Sequence, residues 1–317
     1  MKRPLIILTG PTAVGKTELS IRLAKMVGGE IISADSMQVY KHMDIGSAKI
    51  RPEEMQGVPH HLVDVFEPEE EFHVVRFQEC ARRCMEEIYS RGRVPVLVGG
   101  TGFYIQAVLY DIDFTENGGD GSCRRELEAL ARTKGADALH EMLKSVDPVS
   151  AEQIHANNVK RVIRALEYYK ETGEPISRHN EKERQKVSPY QFAYFVLNDR
   201  RDRLYQRIDE RVDIMVANGL VEEVQALRER GCTREMVSMQ GLGYKEILSY
   251  LNGECTLEEA VYIIKRDTRH FAKRQLTWFR REKEVCWIDK EAFAYDHEKI
   301  LERMAEILRE KEILPGR

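Results

Sequence analysis

Near the start of the chain, Gly10-Pro11-Thr12-Ala13-Val14-Gly15-Lys16-Thr17 carries the spacing G-x-x-x-x-G-K-[ST]. The pattern follows an apolar run, Leu5-Ile-Ile-Leu8, and precedes a stretch whose residues predict a helix over 18–26. Between a strand and a helix, the amides of such a loop converge on a phosphate, helped by the positive end of the helix. The Lys16 ammonium adds a point charge on the phosphate oxygens. The Thr17 hydroxyl is the expected ligand of a Mg²⁺ ion. A phosphorylated ligand is therefore the first expectation, and the loop alone does not say what is done to it.

Two further positions could carry chemistry. Asp35, in Ser33-Ala-Asp-Ser-Met-Gln38, follows a second apolar run. An acid there can ligate Mg²⁺, act as a general base or cap a turn, and Ser36 and Gln38 beside it suit recognition of a polar ring. The third apolar run, Val94–Val98, ends in Gly99-Gly-Thr-Gly102 where a Walker-B strand would present an aspartate. That departure argues against a motor or switch ATPase. The glycines are expected to let a large ligand approach the backbone, and Thr101 either bonds that ligand or caps the next helix.

Charge is unevenly spread. The formal net charge is −4, yet 265–283 holds eight Lys or Arg and only two acids, Asp267 and Glu282. Arg266, Arg269, Lys273 and Arg280 recur at helical steps, with Ile264, Phe271 and Trp278 expected on the opposite face. A low acid content on such a helix favours phosphate-backbone contacts over a merely solvated face. Asn158-Val-Lys-Arg-Val-Ile-Arg164 is a second, weaker basic site.

These residues need a scaffold. Strands are expected at 5–8, 30–34, 94–98 and 190–197, alternating with amphipathic stretches, the pattern of a parallel sheet with crossover helices. In such sheets ligands gather at the carboxyl ends of the strands, where Gly10, Asp35 and Gly99–Gly102 all fall. From 115 to 188 no strand is expected: a loop at Glu116–Ser122 leads into helices at 124–134, 136–146 and 158–172. After 198, helices are expected at 204–218, 220–230 and 257–281, the first two closed by Gly219 and Gly231. The fold expectation is a P-loop NTPase-like α/β core with a parallel sheet and C-terminal helices, formed by 1–114 and 189–317. An all-helical domain at 115–188 is inserted in it.

Composition adds exclusions. With 317 residues, 42% hydrophobic and 32% charged, the chain reads as an ordinary globular protein. No apolar run approaches the roughly 20 residues of a membrane span, and the N-terminus runs straight into the first strand, so the expected address is cytoplasmic. Six cysteines form no C-x-x-C pair, which supports neither a zinc site nor a disulfide framework. Cys80 and Cys84 are expected to pack, and His60-His61 to hydrogen-bond, because adjacent side chains rarely converge on one ion.

Taken together, several stretches resemble the tRNA dimethylallyltransferase family. They are Gly10–Thr17, Ala34-Asp-Ser-Met-Gln-Val-Tyr40, Val58-Pro-His-His-Leu62, Gly99-Gly-Thr-Gly-Phe-Tyr104, Asn158–Glu167, Arg211-Val-Asp-Ile-Met215, Gly241-Leu-Gly-Tyr-Lys-Glu246 and Arg274-Gln-Leu-Thr-Trp-Phe-Arg280. The likeness spans nearly the whole chain and, lacking a zinc finger, is to the bacterial form. It implies transfer of a dimethylallyl group from dimethylallyl diphosphate to the exocyclic amine of the adenosine beside the anticodon. The loop at 10–17 then holds diphosphate with Mg²⁺, and Arg211 is a further diphosphate contact. Asp35 becomes the catalytic acid–base group, while Thr101 positions the amine or bridges to the diphosphate. Ser36, Met37 and Gln38 read or sandwich the extruded base. Arg124, Arg161, Arg164, Lys273, Arg274 and Arg280 hold the anticodon stem-loop. No protein partner is implied, and a monomer suffices. The other readings are a P-loop kinase or ATPase, a prenyltransferase acting on free adenine nucleotides, and a tRNA-binding or assembly protein with a relic P-loop, against which the intact Gly15, Lys16, Thr17 and Asp35 count.

Overall fold

The computed structural model describes residues 2–114 and 122–314. The loop expected at Glu116–Ser122 falls outside them but for Ser122, which opens a helix. The chain divides into two compact units, Met1–Leu109 with Pro189–Arg317, and Tyr110–Ser188. The helical unit thus begins at Tyr110, where the sequence placed the border at 115.

In chain order the first unit contributes β1 (Arg3–Thr9), α1 (Lys16–Val27), β2 (Gly29–Ala34), β3 (His60–His61), α2 (Val74–Ser90), β4 (Val94–Gly99) and α3 (Gly102–Leu109). The second unit holds α4 (Ser122–Lys134), α5 (Ala136–Val146), α6 (Pro148–Gln153), α7 (Val159–Thr172) and α8 (Ile176–Arg184). The first unit resumes with β5 (Tyr190–Asn198), α9 (Arg201–Ala217), α10 (Leu220–Glu229), α11 (Tyr244–Leu251), α12 (Leu257–Phe279), β6 (Val285–Asp289) and α13 (His297–Glu310).

The six strands form one sheet in the order β3-β2-β4-β1-β5-β6, with every pairing parallel. Leu5, Ile6, Ile7 and Leu8 of the inner strand β1 are fully buried. A parallel strand covered on both faces needs such a continuous apolar run instead of alternation. Because all strands point one way, their carboxyl ends share an edge. There Thr9 lies in register with Gly99, and Gly99 with Ala34. The Thr9 hydroxyl donates to the Gly99 carbonyl at 2.6 Å and pins the two strand ends together. The first phosphate-loop residue, Asp35 and Thr101 therefore leave the sheet from adjacent strands.

Two strands have no counterpart in the sequence expectations. β3 is only two residues long and carries the adjacent histidines. His60 Nδ1 lies 2.8 Å from the Val58 carbonyl and His61 Nε2 lies 2.7 Å from Glu30, so each ring has its own hydrogen bond. β6 extends the sheet beyond β5, and it matters below because Lys290 follows it. Helix ends agree more closely: Gly219 and Gly231 stand at φ 100° and 92°, the left-handed geometry a terminating glycine allows. On α12 the buried seam is Ala260, Ile264, Ala272, Gln275 and Phe279, and Phe271 and Trp278 lie only at its margin. A straight helix of 3.6 residues per turn drifts away from a strict seven-residue repeat.

The helical unit has its own apolar core, built on Leu127, Leu139, Leu143, Val162, Ile163 and Leu166. Asp147, 1% exposed, caps α6 through the Ser150 amide at 3.0 Å and also accepts from the Ser177 amide at 2.9 Å. Burial pushes its carboxyl up, but the hydrogen bonds from Ser177 and Ser150 outweigh that and hold it below the usual range. All six cysteines are free thiols. Among the described residues no helix is long and apolar enough to cross a membrane.

Candidate active site

The 10–17 segment has the geometry of an anion cradle. Gly10 stands at φ 148°, and a Cβ there would lie 2.6 Å from the Leu197 carbonyl oxygen. Ala13 is held at φ 63°, an uncommon conformation for a residue with a side chain. Such strain collects where a loop is shaped for a ligand. Pro11 and Val14 are buried, and Val14 sits in the apolar core beneath the loop. Gly15, at φ 94°, caps α1 without a side-chain bond, so the amides of its first turn stay open. Thr17 is exposed in that turn. Not every loop amide is available, because the Thr12 N–H donates to Gln275 Oε1 at 2.9 Å.

Four cations surround this cradle. Lys16 Nζ rests on the carbonyls of Gly10 and Pro11 at 3.0 and 2.9 Å. Its pKa is lowered to about 8, chiefly by burial and then by Arg211, with Asp35 opposing them. Burial likewise lowers the Arg211 pKa, and Arg207 adds to the effect against Asp35. Arg207 and Arg211 are one helical turn apart on α9, facing the same way. A Cβ on Gly15 would lie 3.4 Å from Arg207 Nη2 and 3.2 Å from Lys290 Nζ. Lys290 is 4% exposed and donates to the Val14 carbonyl at 3.0 Å; burial, then Arg207, pull its pKa down. None of Lys16, Arg207, Arg211 and Lys290 makes an ion pair with a described residue. Cations held out of water without a direct ion-pair partner are costly, and a polyanion on the open amides would offset that cost.

Arg207, Lys290 and Gln275 are the residues the sequence reading missed. Arg207 lies four residues before Arg211, and Lys290 follows an apolar run at the carboxyl end of a strand. Both signals were present. Gln275 had none, since a lone glutamine in a basic helix is ordinary.

Asp35 lies close enough to Lys16 and Arg211 to favour the charged form of both. Its Oδ1 accepts the Met37 and Gln38 amides at 2.8 and 3.3 Å, so the capping role is real and leaves the second oxygen free of described hydrogen bonds. Thr101 follows: its amide donates to the Ala34 carbonyl at 3.3 Å and its carbonyl begins α3, while its hydroxyl has no described partner. The glycines around it do not open space for a ligand as expected. A Cβ on Gly99 would lie 2.1 Å from the Ala34 carbonyl oxygen, on Gly100 2.3 Å from Gln275 Nε2, and on Gly102 2.3 Å from Trp278 Cδ1. They are small because protein fills the room. Ser36 and Met37 are half-buried, and Met37 packs against Gly241. Gln38 is engaged elsewhere: its carboxamide donates to the Ser47 and Ala48 carbonyls at 3.4 and 3.2 Å.

The basic surface residues divide into two kinds. On α12, Lys273 and Arg274, and Arg280 just after it, are exposed and have no ion pair with a described residue, whereas Arg269 and Lys265 are bound to Asp209 and Asp213 of α9 at 2.5 and 2.6 Å. In the helical unit Arg161 is exposed and Arg164 half-buried. Arg124 differs: its Nε and Nη2 donate to Glu167, 4% exposed, at 3.0 and 2.8 Å. Its fork is already occupied by a buried carboxylate, so it ties α4 to α7.

A parallel α/β core with a G-x-x-x-x-G-K-T loop after its first strand, and an acid and a hydroxyl on the neighbouring strand ends, defines a protein of the P-loop NTPase-like α/β class. Comparison with known proteins narrows this. A family model described as IPP transferase matches residues 38–282, and one described as isopentenyl transferase matches 3–65. The chain belongs to the IPP transferase family. A tRNA dimethylallyltransferase of Lachnoclostridium phytofermentans is 66% identical over 312 residues, covering 98% of this chain and 99% of that protein. The crystal structure of the tRNA isopentenylpyrophosphate transferase of Bacillus halodurans is 46% identical, with a TM-score of 0.74 over 98% of both chains. A eukaryotic dimethylallyltransferase acting on tRNA aligns with a TM-score of 0.79 at 30% identity, over 90% of this chain and 74% of that one.

Proposed function

We propose that the protein transfers a dimethylallyl group from dimethylallyl diphosphate to the N6 amine of the adenosine beside the anticodon of tRNA, releasing diphosphate. Family membership supports the reaction class. The observation that carries the assignment of parts is the meeting, at one sheet edge, of a cationic cradle free of direct ion pairs among the described residues with a single carboxylate.

The N6 lone pair is delocalised into the adenine ring and attacks poorly. An allylic carbon offsets this, because positive charge developing there spreads over three carbons. As the new N–C bond forms, the C–O bond breaks and its electrons stay with the diphosphate. Stabilising that leaving group is the main task. The open amides of α1, Lys16, Arg207 and Arg211 serve it, with Lys290 adding charge from below. Asp35 then takes the proton that the amine sheds. A carboxylate is a weak base, but the amine becomes strongly acidic once alkylated. The free hydroxyl of Thr101 is suited to orient the amine.

Mg²⁺ fits this donor set. The described residues hold no cluster of three His, Cys, Asp or Glu, but Mg²⁺ ordinarily keeps waters and takes most of its ligands from substrate phosphates. Thr17 would supply the protein oxygen, and the ion when bound neutralises charge on the diphosphate. The adenosine must leave its stack to reach Asp35, at a cost of a few kcal/mol. Lys273, Arg274, Arg280, Arg161 and Arg164 are the phosphate-backbone contacts in this reading, Ser36 and Met37 line the base's entry, and the cellular setting is the cytoplasm.

The test is mass spectrometry of unmodified tRNA incubated with protein, Mg²⁺ and dimethylallyl diphosphate, beside tubes holding AMP, or tRNA with ATP alone. A gain of one dimethylallyl group on the adenosine next to the anticodon is expected. Transfer to AMP, or loss of γ-phosphate from ATP without transfer, refutes the assignment.

A further inference from the structure

Gln275, on α12 and 6% exposed, touches both loops of the cleft at once. Its Oε1 accepts the Thr12 N–H at 2.9 Å, and its Nε2 donates to the Gly100 carbonyl at 2.9 Å. A carboxamide, with an acceptor and a donor side by side, closes both bonds at any pH. The bond to Gly100 sets the peptide plane between Gly100 and Thr101. The Thr101 amide in turn donates to Ala34, the residue before Asp35. A continuous line of hydrogen bonds and peptide planes thus runs from the phosphate loop through Gln275 and Thr101 to Asp35. We infer that Gln275 is a positioning residue that keeps the leaving-group loop in register with the groups that handle the attacking amine.

This inference rests on the transfer reading above. In-line transfer needs the reacting atoms within about 3–3.5 Å, and a misplacement of about 1 Å can cost about 10²-fold in rate. In that reading the diphosphate is held by the 10–17 loop with α9, and the amine is handled by Asp35 and Thr101, so loss of register lowers the rate at saturation rather than the binding of either substrate. Because Gln275 follows Arg274 directly, a shift of α12 would reach both loops through one side chain.

Gln275→Glu tests this through pH. As an anion, the introduced carboxyl keeps the Thr12 bond but faces the Gly100 carbonyl with no proton. When protonated it restores donor and acceptor together, and burial raises the pH at which that happens. Lys16, Asp35 and Arg211 in the cleft, and Lys273, Arg274 and Glu282 on and after α12, are present in both proteins. The ratio of variant to wild-type rate therefore isolates the introduced group. The single-turnover rate at saturating tRNA and dimethylallyl diphosphate is expected to fall about 10²-fold at about pH 8.5. It should recover at least about tenfold relative to wild type by about pH 5.5, with both Michaelis constants within about threefold.

Gln275→Met, which fills the volume without either bond, should lose rate to the same extent at every pH. A variant-to-wild-type ratio that is flat with pH for Gln275→Glu overturns the inference. If that variant does not fold, Gln275→Met decides: kcat lowered with KM unchanged supports positioning, and KM raised with kcat unchanged overturns it. Absence of any transfer by the wild-type protein removes the transfer reading and this inference together, and is distinguishable from a defect confined to the variants.

Discussion

Replacing Asp35 by Asn separates the two roles the geometry gives it. Asn keeps an oxygen where Oδ1 accepts the Met37 and Gln38 amides, and it caps about as well as Asp. The melting temperature should therefore stay within about a degree or two. What is lost is the proton acceptor, worth about 10²–10⁴ in rate, or about 3–5 kcal/mol of barrier. Asp35→Ala loses the cap as well, about 1 kcal/mol, and should melt about 2–4 °C lower. The charge removed has a second reading. Asp35 supports the charged form of Lys16, whose pKa stands at about 8 because burial and Arg211 outweigh that support. Without the carboxylate that pKa falls further, so Lys16 loses its proton at lower pH in the variant. At about pH 6 Lys16 is charged in both proteins, and Asp35→Asn should bind inorganic diphosphate more tightly than wild type, because a repelling carboxylate is gone. That advantage should shrink as pH rises toward 8, where the variant's ammonium is lost first. Rapid-quench single turnover and calorimetric titration with diphosphate measure both. A single-turnover rate within threefold of wild type would refute the proton-acceptor role, and a pH-independent affinity ratio would refute the electrostatic coupling to Lys16.

Other perturbations address the remaining parts. Arg207→Gln should weaken binding of dimethylallyl diphosphate and of inorganic diphosphate about tenfold or more, as loss of a charge-assisted hydrogen bond implies. Its melting temperature should not fall, since no ion pair is broken and repulsion of Lys290 is relieved. Arg280→Ala should flatten the plot of log Kd for tRNA against log salt by about 0.7–0.9, and an unchanged slope would remove Arg280 from the interface. Gly99→Ala drives a Cβ to 2.1 Å from the Ala34 carbonyl oxygen. It should cost about 3 kcal/mol or more, read as a melting temperature lower by about 6 °C or more.

Much of this molecule is written locally. The 10–17 loop, the strand before it and the helix after it are specified by neighbours in sequence, because glycine placement and apolar runs act over a few residues. The helix stops at Gly219 and Gly231 and the cap at Asp147 are likewise local backbone chemistry. Asp35 and Thr101 were legible for another reason: in a parallel sheet, whatever follows a strand lands on the ligand edge.

What the tertiary structure decided is which side chains remain free. The sequence cannot show that Gln38 is occupied by Ser47 and Ala48, that Arg124 belongs to Glu167, or that Arg269 and Lys265 are matched by acids on α9. These partners are distant in the chain, and only packing brings them within hydrogen-bond reach. The same holds for the cations around the phosphate loop: Lys290 arrives from β6 and Arg207 from α9, elements separated from Gly15 by most of the chain. The glycines at 99–102 are the sharpest case. Their small size is plain in the sequence, but its cause, backbone and the side chains of Gln275 and Trp278 filling the space, exists only once α12 has docked beside the sheet.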